Sequence, residues 1–181
     1  MESAASKETN PVLECIYARR SIRRYKSDMV PESAIAAVAE AGTYAPTGRG
    51  MQSPVIIAIT NREIRDRLSQ VNAEIFGRPN FDPFYGAPVI LAVVADKARS
   101  TAVYDGSLVI GTMLLAAKSI GLGACWIHRA RETFERPEWQ EFLKQQGLTG
   151  DYEGIGFLAL GYADQDPKAA PRKDGYIRWV R

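Results

Sequence analysis

Residues that could bind a transition metal are scarce in this sequence. Its 181 residues include one histidine, His128, and two cysteines, Cys15 and Cys125, which stand far apart. Because metal sites combine several such ligands at short spacing, we expect no transition-metal site. No G-x-S-x-G elbow accompanies His128, which leaves a serine hydrolase without support. The two cysteines require no disulfide, and we expect a reduced, cytoplasmic protein.

Long apolar runs and a strong net charge are missing as well. No uninterrupted hydrophobic stretch approaches the roughly 20 residues that a membrane-spanning helix needs, and residues 1–10 contain no apolar segment of a signal peptide. The formal net charge is only +2, whereas proteins that bind nucleic acid through a broad basic field carry a clear positive excess. We therefore expect neither a membrane nor a nucleic acid as a partner.

Helical and strand patterns alternate along the chain without a linker or repeat, which indicates a layered α/β or α+β domain. We expect a flexible N terminus over residues 1–9 and one domain over residues 10–181. Residues 76–88, with four aromatic side chains, are predicted to form an ordered loop or short-helix lid, or else an ordinary surface connection. The predicted helices cover 11–20, 31–42, 61–72, 104–120 and 133–146, and the predicted strands cover 55–60, 89–95, 124–127, 155–161 and 176–180.

The predicted helix over residues 104–120 is apolar around nearly its whole circumference. No charged residue stands between Asp105 and Lys118. A helix of this kind is buried in a large core or in a subunit interface, because soluble monomers rarely expose a large apolar patch. We expect an obligate homodimer built on this helix, with Met113 near the centre of the interface.

One segment of the sequence matches a dinucleotide-binding pattern in its residues but not in its predicted structure. Residues 154–159 have the form G-x-G-x-x-A, but that motif works only between a strand and the N terminus of a helix. Here it falls inside a predicted strand and leads into a turn. We therefore interpret these glycines as sites of close packing.

A basic segment, Arg19–Tyr25, follows the first predicted helix and contains four arginines and Ser21. Cations are favourable at a helix C terminus, so the segment can be a solvated basic turn. Guanidinium forks and a hydroxyl also suit phosphate oxygens. Together with the second basic pair, Arg172 and Lys173, the segment could form a site for one phosphate group.

Four segments resemble, in the same order, the motifs of the FMN-dependent nitroreductase family. They are Arg19–Tyr25, Ala45–Pro54, Gly121–Ile127, and Leu160–Tyr162 followed by Pro171–Lys173. The resemblance covers nearly the whole chain. It implies an α+β fold, a three-layer α/β sandwich whose mixed, mainly antiparallel central sheet is flanked by helices. It also implies an intertwined homodimer with FMN sites at the subunit interface.

The resemblance carries a set of FMN-binding positions onto this sequence. It implies that Arg19, Arg20 and Ser21 bind the phosphate and ribityl chain, that Arg172 and Lys173 close on the phosphate, and that Arg23 stabilises charge at the N1 and O2 edge of the flavin. The positions implied beside the isoalloxazine ring are Pro46, Thr47, Gly48, Gly50 and Gln52 from the partner subunit, and Trp126, Ile127, His128 and Arg129. Gly50 is a departure, because the family commonly has Asn there.

The implied activity is a ping-pong reduction in which NAD(P)H reduces FMN and a small electron-poor acceptor, such as a nitroaromatic or a quinone, then reoxidises it. A narrow-specificity flavin reductase or dehalogenase is one alternative. A flavin-binding or flavin-handling protein with little turnover is another. A phosphate- or RNA-binding module that uses the arginines is disfavoured by the near-neutral total charge.

Overall fold

The computed structural model describes residues 10–181, so the predicted flexible segment 1–9 lies outside the described residues. Its strands form one sheet flanked by helices on both faces, which confirms the predicted α+β sandwich. The elements are α1 (Pro11–Ala18), α2 (Glu32–Thr43), a 3-10 turn (Gly48–Gly50), β1 (Val55–Ile59), α3 (Arg62–Ile75), β2 (Val89–Asp96), α4 (Ala102–Ser119), β3 (Gly123–Ile127), α5 (Ala130–Phe134), α6 (Pro137–Gln145) and β4 (Tyr152–Gly161).

The sheet has the strand order β1-β2-β4-β3, and all three neighbouring pairs are antiparallel. It separates two hydrophobic cores, because successive side chains of a strand point to opposite faces. In β2, Leu91 and Val93 pack toward α2 and α4, whereas Ile90 and Ala92 pack toward α3, α5 and α6. The central strands β2 and β4 are thus covered on both faces.

Two predicted helix ends are confirmed by their hydrogen bonds. Asn10 caps α1, where its side chain accepts the N–H groups of Val12 and Leu13 at 3.0 Å. Gly121 follows α4 with φ +81°, a conformation that glycine adopts without strain. This turn sends the chain directly from α4 into β3.

The predicted helix over 133–146 is wrong as a single element. The structure has α5 and α6 instead, because Pro137 lacks an N–H group and forces Arg136 into an extended conformation with ψ 139°. The predicted end of α3 near Asn72 is also early, since the helix continues to Ile75.

Two predictions about strands need correction. The strand β1 is apolar but not buried as expected: only Ile59 is buried and Ala58 is exposed, because β1 lies at the sheet edge beside β2 alone. Residues 176–180 form no strand. A strand needs a neighbour to accept and donate backbone hydrogen bonds, and the described part of this chain provides none there.

The glycines of the G-x-G-x-x-A pattern lie inside β4, as predicted. A Cβ on Gly154 would come within 2.2 Å of the backbone oxygen of Ala130, and one on Gly156 within 2.7 Å of the Trp126 ring nitrogen. These positions therefore let α5 and Trp126 pack directly on the strand. Within residues 10–181, no helix is long and apolar enough to cross a membrane.

Candidate active site

The basic segment Arg19–Tyr25 runs along the β3 edge of the sheet. Ser21 forms a parallel bridge with Ala124, and the Ile22 N–H donates to the Ala124 oxygen at 3.0 Å. Further on, Tyr25 forms an antiparallel bridge with Ala163. This pairing fixes the arginines and Ser21 beside β3, so the segment is not a freely solvated turn.

Arg19 and Arg20 line a surface cavity at the C-terminal end of α4. The Nη1 atom of Arg20 donates to the backbone oxygens of Tyr17 and Arg19, at 2.7 and 2.6 Å. These bonds hold the guanidinium against the end of α1. The other residues lining the cavity include Leu114, Lys118, Gly121, Gln165, Asp166 and Pro167.

Cys125 of β3 lies close to the basic segment Arg19–Tyr25. Its side chain is buried in the core, and burial raises the pKa of the thiol. Arg23 and Arg19 act in the opposite direction through their charges, and the Ser21 side chain does so through a hydrogen bond. Both arginines and the serine therefore surround one point of β3, while burial keeps Cys125 protonated.

The turn after β3 is held by hydrogen bonds from two helices. Arg129 adopts a left-handed conformation with φ +73°, which is uncommon for a residue other than glycine. The Thr133 hydroxyl donates to the Arg129 oxygen at 2.8 Å, which ties the turn to α5. Ile127 is buried in the core, so only its backbone can face a ligand, whereas the His128 side chain is exposed.

Asn72 secures the same turn from α3, and sequence reasoning did not identify it. Its side chain is fully buried. Its Nδ2 donates to the His128 oxygen at 2.8 Å, and its Oδ1 accepts the Arg129 Nε at 2.9 Å. The available signal was an asparagine on the apolar side of α3, since a buried amide requires partners.

The loop Pro46–Gln52 lies at the other end of α4. The Gly48 N–H donates to Oδ1 of Asp105 at 3.0 Å, and the Thr101 hydroxyl donates to Oδ2 at 2.9 Å. A Cβ on Gly48 would lie 2.4 Å from the Thr101 hydroxyl oxygen, so this contact requires glycine. Inside the loop, the Gln52 N–H donates to the Thr47 hydroxyl at 3.0 Å.

The predicted site residues therefore form two groups in one chain. Arg19, Arg20 and Ser21 lie at the start of β3, close to Lys118 of α4, whereas Trp126–Arg129 lie at and beyond the far end of the same strand. The group of Pro46–Gln52 is bound to Asp105 near the start of α4. Because α4 rises about 1.5 Å per residue, Asp105 and Lys118 are about 20 Å apart along its axis.

Arg172 and Lys173 belong to the exposed C-terminal segment. Both are exposed, and neither lines the cavity beside Arg19 and Arg20. The Nη2 atom of Arg172 donates to the Ala170 oxygen at 2.7 Å. Their closing on a phosphate stays a prediction.

The segment 76–88 is an ordered loop without a helix. Its centre is Asp82, which accepts the Ser69 hydroxyl at 2.5 Å, the Phe84 N–H at 2.9 Å and the Gly86 N–H at 2.7 Å. Arg65 pairs with the same carboxylate. Burial opposes the charge of Asp82, but these hydrogen bonds and the Arg65 charge hold its pKa below the usual range.

The site contains few groups that could deliver a proton. Burial strongly raises the pKa of Tyr25, whose hydroxyl donates to the Ile22 and Ala159 oxygens at 2.8 and 3.2 Å. Tyr25 is therefore a structural hydrogen-bond donor. No group of three or more His, Cys, Asp or Glu residues in the described chain could hold a metal ion.

The model of the Nitroreductase family matches residues 16–162. This chain belongs to that family. Its fold matches the crystal structure of an FMN-bound nitroreductase from Bacteroides fragilis with a TM-score of 0.85 and 31% identity, over 96% of this chain and 100% of that one. An FMN-bound nitroreductase from Desulfitobacterium hafniense gives a TM-score of 0.86 and 25% identity, over 96% and 100%.

Sequence relatives extend the comparison to named flavin enzymes. An NADPH-flavin oxidoreductase from Vibrio harveyi is 27% identical over 178 residues, which are 93% of this chain and 72% of that protein. A relative in Methanothermobacter thermautotrophicus is 34% identical over 119 residues, and the match spans only 59% of that protein's length. The matched region 16–162 contains three of the four motif segments in full and the Leu160–Tyr162 part of the fourth.

Proposed function

We propose that residues 10–181 form a single FMN-binding domain that acts, as a homodimer, as an NAD(P)H-dependent oxidoreductase. Its acceptors are nitroaromatics, quinones or similar electron-poor molecules, and the cycle is ping-pong. The observation that carries the proposal is the pairing of Arg19–Tyr25 with the edge of β3, the strand that leads into the turn at Trp126–Arg129. Family membership and the FMN named in similar structures support it.

The donors at the β3 edge fit the chemistry of FMN. Arg19 and Arg20 border one cavity, and Ser21 lies next to them on the bridge to β3. Guanidinium groups and a hydroxyl form charge-assisted hydrogen bonds to a phosphate monoester. The described chain has no strand–turn–helix with a G-x-G-x-x-G/A pattern, which a larger dinucleotide cofactor commonly requires.

Bound FMN supplies the hydride acceptance and release that no amino-acid side chain can provide. In this assignment Arg23 places a permanent positive charge at the pyrimidine edge, where reduction increases negative charge. With FMN bound, the left-handed turn at Arg129 would place the backbone of residues 126–129 beside the ring. Tyr25 stays protonated and bound to backbone oxygens, so the proton that completes the reduction would come from water or from the flavin N5.

The exposed side of α4 supports the proposed homodimer. Tyr104 is 71% exposed and Leu108 is 48% exposed. Gly111 and Thr112, three and four residues after Leu108, lie on the same face of α4. A Cβ on Gly111 would have no atom within 4 Å. This apolar stripe favours burial against a second copy. Met113 is not part of it, because Met113 is fully buried against α2 inside the chain.

A homodimer would bring the two groups of site residues together. Within one chain, Arg19 and Arg20 lie near Lys118 and the loop Pro46–Gln52 is bound to Asp105, and these two positions are about 20 Å apart along α4. Two copies packed antiparallel through α4 bring the loop Pro46–Gln52 of each copy to the β3 edge of the other. The exposed apolar tail, with Trp179 at 77% and Val180 at 98% exposure, offers further surface for such an interface.

The proposed function is tested by anaerobic reduction of the purified, FMN-loaded protein. We expect NADH or NADPH to bleach the flavin absorbance, and a nitroaromatic or quinone added afterwards to restore it. A bound flavin that neither nucleotide reduces would instead identify a flavin-handling protein. Failure to bind FMN at all would refute the assignment of the β3 edge.

A further inference from the structure

Two guanidinium groups share one aromatic ring at the border of the proposed site. The Cζ atom of Arg129 lies 4.3 Å from the centre of the Phe76 ring. Arg78 lies 5.7 Å from the same ring and 4.6 Å from the ring of Phe81. Stacking on a ring face leaves the N–H edge of a guanidinium available for hydrogen bonds.

Within the described residues no carboxylate lies within ion-pair distance of the Arg78 or Arg129 guanidinium, although the charge of Glu132 partly offsets the burial that lowers the pKa of Arg129. Among residues 10–181, the Arg129 side chain forms one hydrogen bond, from Nε to Asn72, and its two terminal nitrogens form none. The carboxylate of the loop itself, Asp82, is already engaged by Arg65 and Ser69.

The pair is fixed in position. The Arg78 N–H donates to the Ala73 oxygen at 2.9 Å, which closes the end of α3, and Gly77 supplies the left-handed residue with φ +72°. Arg129 is held by Asn72. Two cations whose backbones are fixed lose less freedom on binding an anion than flexible surface arginines do.

A row of aromatic rings connects the pair to the β3 edge. Phe81 packs edge-on against Tyr85 at 5.6 Å between ring centres. Tyr85 lies near both Arg129 and Tyr25. Tyr25 belongs to the basic segment, so this surface adjoins the place assigned to the flavin ring.

We propose that Arg78 and Arg129 bind an oxyanion, a carboxylate or a phosphate, on a molecule that reacts at the site. The inference rests on the proposed function and adds a substrate class to it. The oxyanion belongs either to an aromatic acceptor that carries a carboxylate or to a phosphate of the reduced nicotinamide nucleotide. The Phe76 and Phe81 rings provide the apolar surface beside it.

The test compares charged and neutral ligands of the same scaffold on FMN-loaded protein. The acceptor pair is 4-nitrobenzoate and its methyl ester. The nucleotide pair is NADH and the phosphate-free dihydronicotinamide riboside. Calorimetry gives Kd for the acceptors, and steady-state rates give KM and kcat for all four ligands. The variant is Arg78→Gln, and the matched control is Arg62→Gln, an exposed arginine on α3 whose side chain is 94% exposed.

We expect Arg78→Gln to raise Kd or KM for a charged ligand at least fivefold and for its neutral counterpart less than twofold. The ligand pair that shows the difference identifies the source of the oxyanion. High salt should reduce the effect. Three results would overturn the proposal. They are equal changes for charged and neutral ligands, the same change in Arg62→Gln, and no binding of any charged ligand. If wild-type protein shows no reduction by nicotinamide nucleotides, the proposed function fails, while the calorimetric comparison still decides the oxyanion site.

Discussion

The loops Pro46–Gln52 and Phe76–Pro88 are each organised by one aspartate, but the two aspartates connect them to different parts of the molecule. Asp82 lies within its own loop and pairs with Arg65 and Ser69 of α3. Asp105 lies on α4 and accepts the Gly48 N–H together with the Thr101 hydroxyl. The loop Phe76–Pro88 is therefore part of the subunit's own core, and the loop Pro46–Gln52 is attached to the helix of the proposed interface.

This difference separates folding of the chain from completion of the site. A change at Asp82 should act on stability within one subunit. A change on the exposed side of α4 should act on association and, through association, on the cofactor. The following substitutions are ordered from the largest expected effect to the smallest.

Leu108→Glu should abolish the dimer and FMN binding together. It places a charge on the exposed apolar side of α4, where Leu108 is 48% exposed in one chain, and an unpaired charge cannot be buried against a second copy without a large cost. Sedimentation velocity and FMN titration measure the two effects on the same sample. Gln145→Glu, an exposed position on α6, serves as the control and should change neither.

Asp82→Ala should lower the free energy of unfolding by about 2–3 kcal/mol, because it removes the less exposed of the two carboxylates paired with Arg65 and an acceptor from Ser69 and two backbone N–H groups. The Arg65 side chain is only 11% exposed. Urea denaturation at pH 7 measures the loss. Asp66→Ala is the control: Asp66 pairs with the same arginine, but its side chain is 53% exposed, and such pairs contribute at most about 1 kcal/mol.

The Asp82 contribution should also depend on pH in a defined direction. Its pKa is lowered in the folded protein, so the stabilisation is present above the unfolded pKa of about 3.9 and is lost as the pH falls through the folded value. The stability difference between wild type and Asp82→Ala should be constant near neutral pH and shrink below about pH 4. A difference that grows toward acid pH would contradict this account of the loop.

Asn72→Ala should lower stability by about 1–3 kcal/mol, since it removes two buried hydrogen bonds from the turn at His128 and Arg129. FMN affinity should fall as well, because the backbone of that turn is assigned to the flavin ring. Thermal unfolding and FMN titration separate the two effects. Gln70→Ala, on the exposed side of the same helix, should leave both unchanged within error.

Gly50→Asn should change stability by less than about 0.5 kcal/mol. Gly50 has φ +66°, and a Cβ there would contact nothing within 4 Å. Asparagine tolerates this conformation, whereas Gly50→Val should cost about 1–2 kcal/mol. Equal thermal stabilities of the Asn and Val variants would show that the left-handed conformation of this residue does not matter.

Local sequence patterns were sufficient to predict most of the elements, but not the contacts between them. The cap at Asn10, the turn at Gly121 and the apolar strand β2 depend on neighbouring residues, and all three are confirmed. The break at Pro137 was missed because the apolar period continues across it. The half-exposed state of β1 could not be predicted, since strand order is set by tertiary packing and β1 has the same composition as a buried strand.

For the site residues, too, the sequence predicts local patterns but not contacts between distant residues. The arginines and Ser21 are recognisable in the sequence because they are adjacent. Asn72, Asp82 and Asp105 act through partners far along the chain, at His128, Arg65 and Gly48. No local pattern distinguishes such residues from ordinary polar positions on a helix or in a loop.

The central claim is that each FMN site combines the β3 edge of one subunit with the loop Pro46–Gln52 of the other, and subunit complementation tests it most directly. One variant carries Arg20→Ala and Arg23→Ala, and the other carries Thr47→Ala and Gln52→Ala. In a mixed dimer, one site contains both defects and the other contains none. We predict that each variant alone binds FMN weakly, and that purified mixed dimers bind one FMN per dimer with wild-type affinity. Mixed dimers that bind no better than the separate variants would contradict the shared site.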